Sequence, residues 1–130
     1  MRRHKLLAAI IVFLSVPNES SAADDLYTKQ FAMCMDKSGG VTAKMLSCIA
    51  TETRTQDARL NGAYKKLVGQ LTASRKSQLV EVQRMWIKYR DANCTFYADP
   101  DGGTNAVVSA SDCAMSATAS RAKELENLAE

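Results

Sequence analysis

The segment Gln83–Cys94 reads QRMWIKYRDANC and combines the only tryptophan of the chain with an Arg-Asp pair and a cysteine. Around it, apolar and aromatic residues recur in steps of three and four, which is the spacing of one face of an α-helix. This spacing predicts a helix packed against other helices. The predicted buried stripe consists of Leu79, Val82, Trp86, Tyr89, Asn93 and Phe96.

Two helices are predicted before this segment. The first covers Leu26–Asp36 and ends before the pair Gly39-Gly40, because glycine favours turns over helix. Thr42 is the expected N-cap of the second helix, since threonine side chains accept hydrogen bonds from the first helical turn. The polar middle of the second helix, Glu52–Arg59, predicts either a solvent-facing stretch or a bend.

The third and fourth helices are separated by the strongest turn signal in the chain, DPDGG at Asp99–Gly103. Thr72 or Ser74 is expected to cap the third helix. The fourth helix is expected to begin between Val108 and Asp112 and to run to the end of the chain. The predicted fold class is all-α, a small antiparallel bundle of about four helices.

The four cysteines, Cys34, Cys48, Cys94 and Cys113, predict two disulfides in an oxidising compartment. A zinc site is the alternative, but its ligands normally come in close pairs such as C-x-x-C. Each predicted turn separates one pair of cysteines, which favours the pairings Cys34–Cys48 and Cys94–Cys113. The two other connectivities remain open at this point.

Residues 1–22 resemble a secretory signal peptide, with three basic residues before the apolar run Leu6–Val16 and small residues at Ser20–Ala23. The run is shorter than the roughly 20 residues of a transmembrane helix. No cysteine for lipid attachment lies near the cleavage region. We therefore expect one domain, residues 23–130, in the periplasm or outside the cell and without a membrane anchor.

The charge and the residue types argue against several functions. Loss of three basic residues and one acidic residue with the signal lowers the formal net charge from +3 to +1, which gives no basis for nucleic-acid binding. The only histidine, His4, is lost as well, so histidine-based catalysis and histidine metal ligands are excluded. We expect no catalytic residue, no cofactor and no metal; the remaining enzymatic alternatives are a carboxylate pair, as in glycoside hydrolases, and a Ser-Lys arrangement.

Four residues are predicted to form a structural motif inside the bundle. Arg90 follows Trp86 by one helical turn and is expected to stack on its ring or to pair with a carboxylate. Arg121 interrupts the apolar face of the fourth helix and predicts an internal salt bridge with Asp91 or Asp57. The expected role of this motif is to fix the register of the helices.

The loop Asp99–Asn105 is the predicted partner-binding element. It is acidic and glycine-rich, and a Cys94–Cys113 bridge would hold its base. Loops supported by a rigid scaffold commonly bind partners, although a plain connection is the alternative. The candidate contact residues are Asp99, Asp101, Gly102 and Gly103.

A longer pattern runs through most of the chain. It contains M-x-x-C, L-N-x-x-Y, Q-x-x-W-x-x-x-R-D-x-x-C, a glycine pair, another cysteine and T-x-x-R-x-x-x-L. The residues are Cys34, Met45, Cys48, Asp57, Leu60, Asn61, Tyr64, Leu67, Leu71, Gln83, Trp86, Arg90, Asp91, Cys94, Gly102, Gly103, Cys113, Thr118, Arg121 and Leu125. In this pattern the chain resembles the LprI-type lysozyme-inhibitor family over about residues 34–128.

The resemblance implies a small secreted or periplasmic helical domain with disulfides that binds and inhibits a lysozyme. In that case the acidic loop is the expected element for the substrate cleft. Two other functions fit the same residues: an interaction module for another envelope protein, and a carboxylate-dependent hydrolase of envelope glycans. Some family members are lipoproteins, and this chain differs from them in lacking a lipid-attachment cysteine.

Overall fold

The computed structural model describes residues 26–130, which form four helices and no strand. The helices are α1 (Lys29–Ser38), α2 (Thr42–Gln70), α3 (Ala73–Phe96) and α4 (Gly103–Leu128). Each short connection reverses the chain, so α2 and α4 run in the same direction. The predicted all-α fold with two disulfides is confirmed.

The predicted signal peptide, residues 1–22, lies outside the described residues, as do the first three residues of the predicted domain. Among the four helices of residues 26–130, none has an apolar stretch long enough to cross a lipid bilayer.

The start of α1 is fixed by a threonine cap and a buried acid. The helix begins at Lys29 rather than Leu26, because the Thr28 hydroxyl accepts a hydrogen bond from the Phe31 N–H at 3.1 Å. Thr28 in turn donates its backbone N–H and its hydroxyl to the two carboxylate oxygens of Glu52, at 2.9 and 2.6 Å. This contact ties α1 to the middle of α2.

The polar middle of α2 is unbroken helix and is partly buried. The helix is continuous, and Glu52 and Gln56 are buried, with only 3% and 2% of their surface exposed. The Gln56 amide donates to Glu52 at 2.7 Å, so both polar groups are satisfied inside the fold. At the start of α2, Thr42 is the first helical residue rather than the N-cap, which is Val41.

α4 begins at Gly103, which is earlier than the predicted start between Val108 and Asp112. The two valines at positions 107 and 108 have a low intrinsic helix propensity, which is a weak preference that tertiary packing overrides. Ala106 is buried in this first part of α4, with 8% of its surface exposed. Its burial gives the early helical turns a packed face.

The main interface of the molecule lies between α2 and α4, while α1 packs on α2 and α3 packs on α4. Both helices contribute large buried apolar side chains, Ile49, Leu60 and Leu67 from α2 and Met115 and Leu125 from α4, and α4 adds the buried alanines Ala119 and Ala122. The core cluster consists of Leu60, Ala63, Leu67, Leu79, Ala122, Leu125 and Ala129.

The buried face of α3 differs from the predicted stripe. Val82, Tyr89 and Phe96 are 45%, 67% and 84% exposed, so their assignment to the core was wrong. The disulfide to α4 sets the rotation of α3, because Cys94 must face α4 and is 6% exposed. The buried and half-buried residues of α3 are Leu79, Val80, Gln83, Trp86, Arg90, Asn93 and Cys94.

Candidate functional site

The loop between α3 and α4 is short, closed at its base and exposed at its tip. The Cys94–Cys113 disulfide, with a Cα–Cα distance of 5.4 Å, joins the end of α3 to α4, as predicted. Inside the loop, the Asp101 N–H donates to the Asp99 carboxylate at 2.9 Å, and the Gly102 N–H donates to the Asp99 carbonyl at 3.0 Å. These bonds hold one turn conformation, so the loop is ordered before any partner binds.

The two glycines of the loop have conformational roles. A Cβ on Gly102 would lie 2.7 Å from the Ala106 Cβ, which is closer than two carbons pack. Gly103 has φ +61°, in the left-handed region that side chains disfavour. Both glycines therefore allow α4 to start directly after the turn.

Four exposed side chains lie at the end of α3 and in the loop that follows it, and we call them the loop tip: Phe96, Tyr97, Asp99 and Asp101. The rings of Phe96 and Tyr97 are 84% and 49% exposed and meet edge to face, with centroids 6.2 Å apart. Asp99 and Asp101, two and four residues after Tyr97, are exposed as well. Accessible aromatic side chains are enriched at protein interfaces. The sequence pattern indicated the two acids but not the aromatic pair, because Phe96 had been assigned to the core.

The motif residues Trp86 and Arg90 lie on the inner side of α3. Trp86 packs against the core cluster, and the Arg90 guanidinium carbon lies 5.1 Å from the centroid of its ring. Arg90 also donates to the Asp91 carboxylate at 2.8 and 2.9 Å and to the Thr118 hydroxyl at 3.4 Å. Arg90 thus links α3 to α4, and Asp91 pairs within its own helix rather than with another one.

Arg121 is buried between α3 and α4, with 6% of its surface exposed. Its guanidinium donates to the Gln83 amide oxygen at 3.0 Å and to the Glu124 carboxylate at 2.6 Å. The predicted partners Asp91 and Asp57 were wrong, because Glu124 lies one turn away on the same helix. The structure brings these motif residues together as a packing element, separate from the loop tip.

A second ion pair, which the sequence pattern did not indicate, joins α2 to α4. Arg59 donates to both carboxylate oxygens of Glu126, at 2.6 and 2.5 Å. The hydrogen bonds from Arg59 lower the pKa of Glu126 below its ordinary value, and the same contact raises the pKa of Arg59; partial burial opposes both shifts. The nearby charges of Lys66 and Lys123 also favour the Glu126 carboxylate. The two residues are 67 positions apart, so no local spacing connects them.

The loop tip offers groups for recognition. In residues 26–130 all four cysteines are in disulfides, and no three side chains of His, Cys, Asp or Glu come together. The tip presents two carboxylates, a phenyl ring and a phenol on a closed hairpin. Carboxylates form charged contacts and hydrogen bonds, and aromatic rings form apolar contacts.

Comparison with known proteins identifies one family. A family model described as "Lysozyme inhibitor LprI" matches residues 34–125. The matched region contains both disulfides, the inner residues of α3 and the loop tip, and it ends within α4. Comparison with curated proteins and with solved structures gives no match.

Proposed function

The chain belongs to the LprI lysozyme-inhibitor family, and we propose that it binds a lysozyme by inserting the loop tip into the substrate cleft. The observation that supports the proposal is the exposed pair of aromatic rings next to Asp99 and Asp101, on a hairpin closed by a disulfide. The family is described as an inhibitor, and the proposed activity is steric blockade without chemical turnover.

The two chemical halves of the loop tip have different tasks in this mechanism. The carboxylates of Asp99 and Asp101 attract a basic enzyme and orient the approach, an effect that mainly raises the association rate. The rings of Phe96 and Tyr97 fill the cleft, where aromatic anchors contribute most of the affinity of typical interfaces. A loop that is already ordered loses little entropy on binding, so more of the contact energy appears as affinity.

We also propose that the protein works in the periplasm or outside the cell. Two disulfides support this location, since such bonds persist in oxidising compartments. N-terminal sequencing of the exported protein should show that residues 1–22 have been removed. Recovery of the intact N-terminus from the periplasm would contradict the proposed signal cleavage.

The direct test is a cell-wall lysis assay with several lysozyme types. The protein should slow lysis by at least one of them at micromolar concentration. The double variant Asp99→Asn, Asp101→Asn should weaken inhibition by about tenfold through slower association, and Phe96→Ala should weaken it by about 30-fold or more. The matched control is Asp36→Asn, which removes an exposed acid from α1 and should leave inhibition unchanged.

Three results would contradict the proposal. Lysis unaffected by excess protein would exclude inhibition of the lysozymes tested and favour another envelope partner. If Asp36→Asn weakened inhibition as much as the double variant Asp99→Asn, Asp101→Asn, the effect would come from net charge rather than from the loop tip. Release of soluble fragments from peptidoglycan by the protein alone would indicate a hydrolase.

A further inference from the structure

α3 carries an apolar stripe that no described part of the chain covers. Met85 is 61% exposed, and the other large members of the stripe, Val82, Tyr89 and Phe96, are 45% to 84% exposed. With the exposed Ala92 they recur in steps of three, four, three and four. This is the spacing by which one helix packs along another. The exposed stripe is defined as Val82, Met85, Tyr89, Ala92 and Phe96.

We propose that the exposed stripe pairs with the same stripe of a second copy, in an antiparallel dimer with two-fold symmetry. A two-fold interface requires a surface that is complementary to itself, and the order of residues along the stripe meets this condition. With Tyr89 on the axis, Val82 lies opposite Phe96 of the partner subunit, and Met85 lies within one residue of the position opposite Ala92 of the partner subunit. Tyr89 meets its own copy at the axis, and on either side of it a large side chain is paired with a smaller one, which favours close packing.

The charges at the two ends of α3 favour the antiparallel arrangement. The first turn of α3 carries the exposed basic residues Arg75 and Lys76, and the loop after α3 carries the exposed Asp99 and Asp101. In the antiparallel register, the acidic loop of each copy lies beside the basic turn of the other. A parallel arrangement would place the acidic loops together, which costs free energy.

The available area suits a weak but specific dimer. An aromatic side chain buries about 150–250 Å², so the two exposed rings and their aliphatic neighbours offer roughly 500 Å² per copy. The total of about 1,000 Å² reaches the lower limit of specific protein interfaces. Such areas correspond to dissociation constants on the order of micromolar or weaker.

The dimer does not rest on the proposed lysozyme binding. Because Phe96 belongs both to the exposed stripe and to the loop tip, however, the two interactions exclude each other. Dimerisation would cover the apolar ring of the loop tip until a partner competes for it.

Sedimentation equilibrium of the disulfide-bonded protein from about 1 μM to 1 mM tests the dimer. The wild type should approach twice the monomer mass as concentration rises. Tyr89→Glu places two carboxylates at the axis and should weaken association by about 100-fold or more. Met33→Glu is the control, since Met33 is a 53% exposed residue of α1, and it should dimerise like the wild type.

A charge exchange tests the register separately. One variant carries Arg75→Glu and Lys76→Glu, and the other carries Asp99→Lys and Asp101→Lys. Each alone has like charges at both contacts and should associate about tenfold more weakly than the wild type. An equimolar mixture restores opposite charges at both contacts and should recover wild-type association.

Several outcomes would overturn the proposal. A wild type that stays monomeric to 1 mM means that the stripe serves another protein or none. Unchanged association of Tyr89→Glu, or equal weakening by Met33→Glu, places the contact elsewhere. If the mixture associates no more tightly than each charge variant alone, the antiparallel register is ruled out.

Discussion

The two disulfide hairpins of this protein have the same construction and different surfaces. Cys34–Cys48 closes α1 onto α2 around a turn with two left-handed glycines, Gly39 and Gly40, with a Cα–Cα distance of 5.7 Å. Cys94–Cys113 closes α3 onto α4 across a longer loop. The α1–α2 hairpin is also tied down by Glu52, which accepts two hydrogen bonds from the residue before α1. The α3–α4 hairpin presents the loop tip.

Under the proposed function, a closed hairpin becomes a binding element only through the side chains that it exposes. Both hairpins gain rigidity from their disulfide. The first uses that rigidity to hold a short amphipathic helix on α2. The second holds two aromatic rings and two carboxylates away from the bundle, where a partner can reach them.

The largest effects are expected when each disulfide is removed. Cys34→Ala with Cys48→Ala, and Cys94→Ala with Cys113→Ala, should each cost about 3 kcal/mol of unfolding free energy, because the closed loops are similar in length. Urea unfolding measures this cost. Only removal of Cys94–Cys113 should also weaken lysozyme inhibition, by about tenfold, since the loop tip then pays an ordering entropy on binding.

Equal inhibition of lysozyme by both disulfide variants would contradict this difference between the two hairpins. In that case the order of the loop tip would not depend on the bridge at its base. A loss of inhibition on removal of Cys34–Cys48 alone would also contradict it, since α1 would then belong to the binding surface.

An intermediate effect is expected at the anchor of the first hairpin. Glu52→Ala removes a buried acceptor and leaves the Thr28 N–H and the Gln56 amide without their partner, which should cost about 2–3 kcal/mol. Amide hydrogen exchange should accelerate first in α1. Glu81→Ala is the control, because Glu81 forms an exposed pair with Arg84 and should change stability by less than about 0.5 kcal/mol.

A change of protection spread evenly over all four helices would contradict the local role of Glu52. Equal stability of the Glu52→Ala and Glu81→Ala variants would also contradict that role. Either result would mean that α1 is held by its disulfide alone.

The smallest effect is expected at the ion pair that joins the two hairpins. Glu126 is 35% exposed, so solvent screens its contact with Arg59, and Glu126→Gln should cost about 1 kcal/mol or less. Because the folded-state pKa of Glu126 is lowered, its contribution is complete above the unfolded-state value of about 4.3. It is lost as the pH falls through the lower folded-state pKa. Arg59 stays charged throughout, so it adds no pH dependence.

Urea unfolding of wild type and Glu126→Gln between about pH 2 and pH 7 measures this contribution, with the pH window set by the carboxylate pKa. The two stability curves should converge as the pH falls. A constant difference down to pH 2 would mean that the pair acts through packing rather than charge.

Much of the fold could be predicted from the sequence, and α3 shows where prediction failed. Two faces of this helix have residues three and four apart: the exposed stripe, and the inner face that includes Gln83, Trp86 and Arg90. The predicted stripe took residues from both: Leu79, Trp86 and Asn93 do lie on the inner face, whereas Val82, Tyr89 and Phe96 lie on the exposed stripe. The available signal was Cys94, because a bridged cysteine must face its partner helix, and Arg90 lies one turn before it on the same side.

The candidate site was predicted in part. Asp99 and Asp101 were recognisable because they lie in a strong turn signal. Phe96 and Tyr97 were not, since the exposure of a ring depends on the rotation of the whole helix. The partner of Arg121 was also missed, because several acids were in reach of a buried arginine and only packing selects one.

The sequence alone predicted the four helices and the turns between them, and it favoured the cysteine pairing that the structure has. Those features follow from local physical chemistry: helical spacing, the backbone freedom of glycine, and the proximity of cysteines across a turn. Only the tertiary structure decided which face of α3 is buried, why the polar middle of α2 turns inward, and which ions pair between α2 and α4. Each of these depends on contacts between residues far apart in the chain, where several arrangements satisfy the same local pattern and close packing selects one.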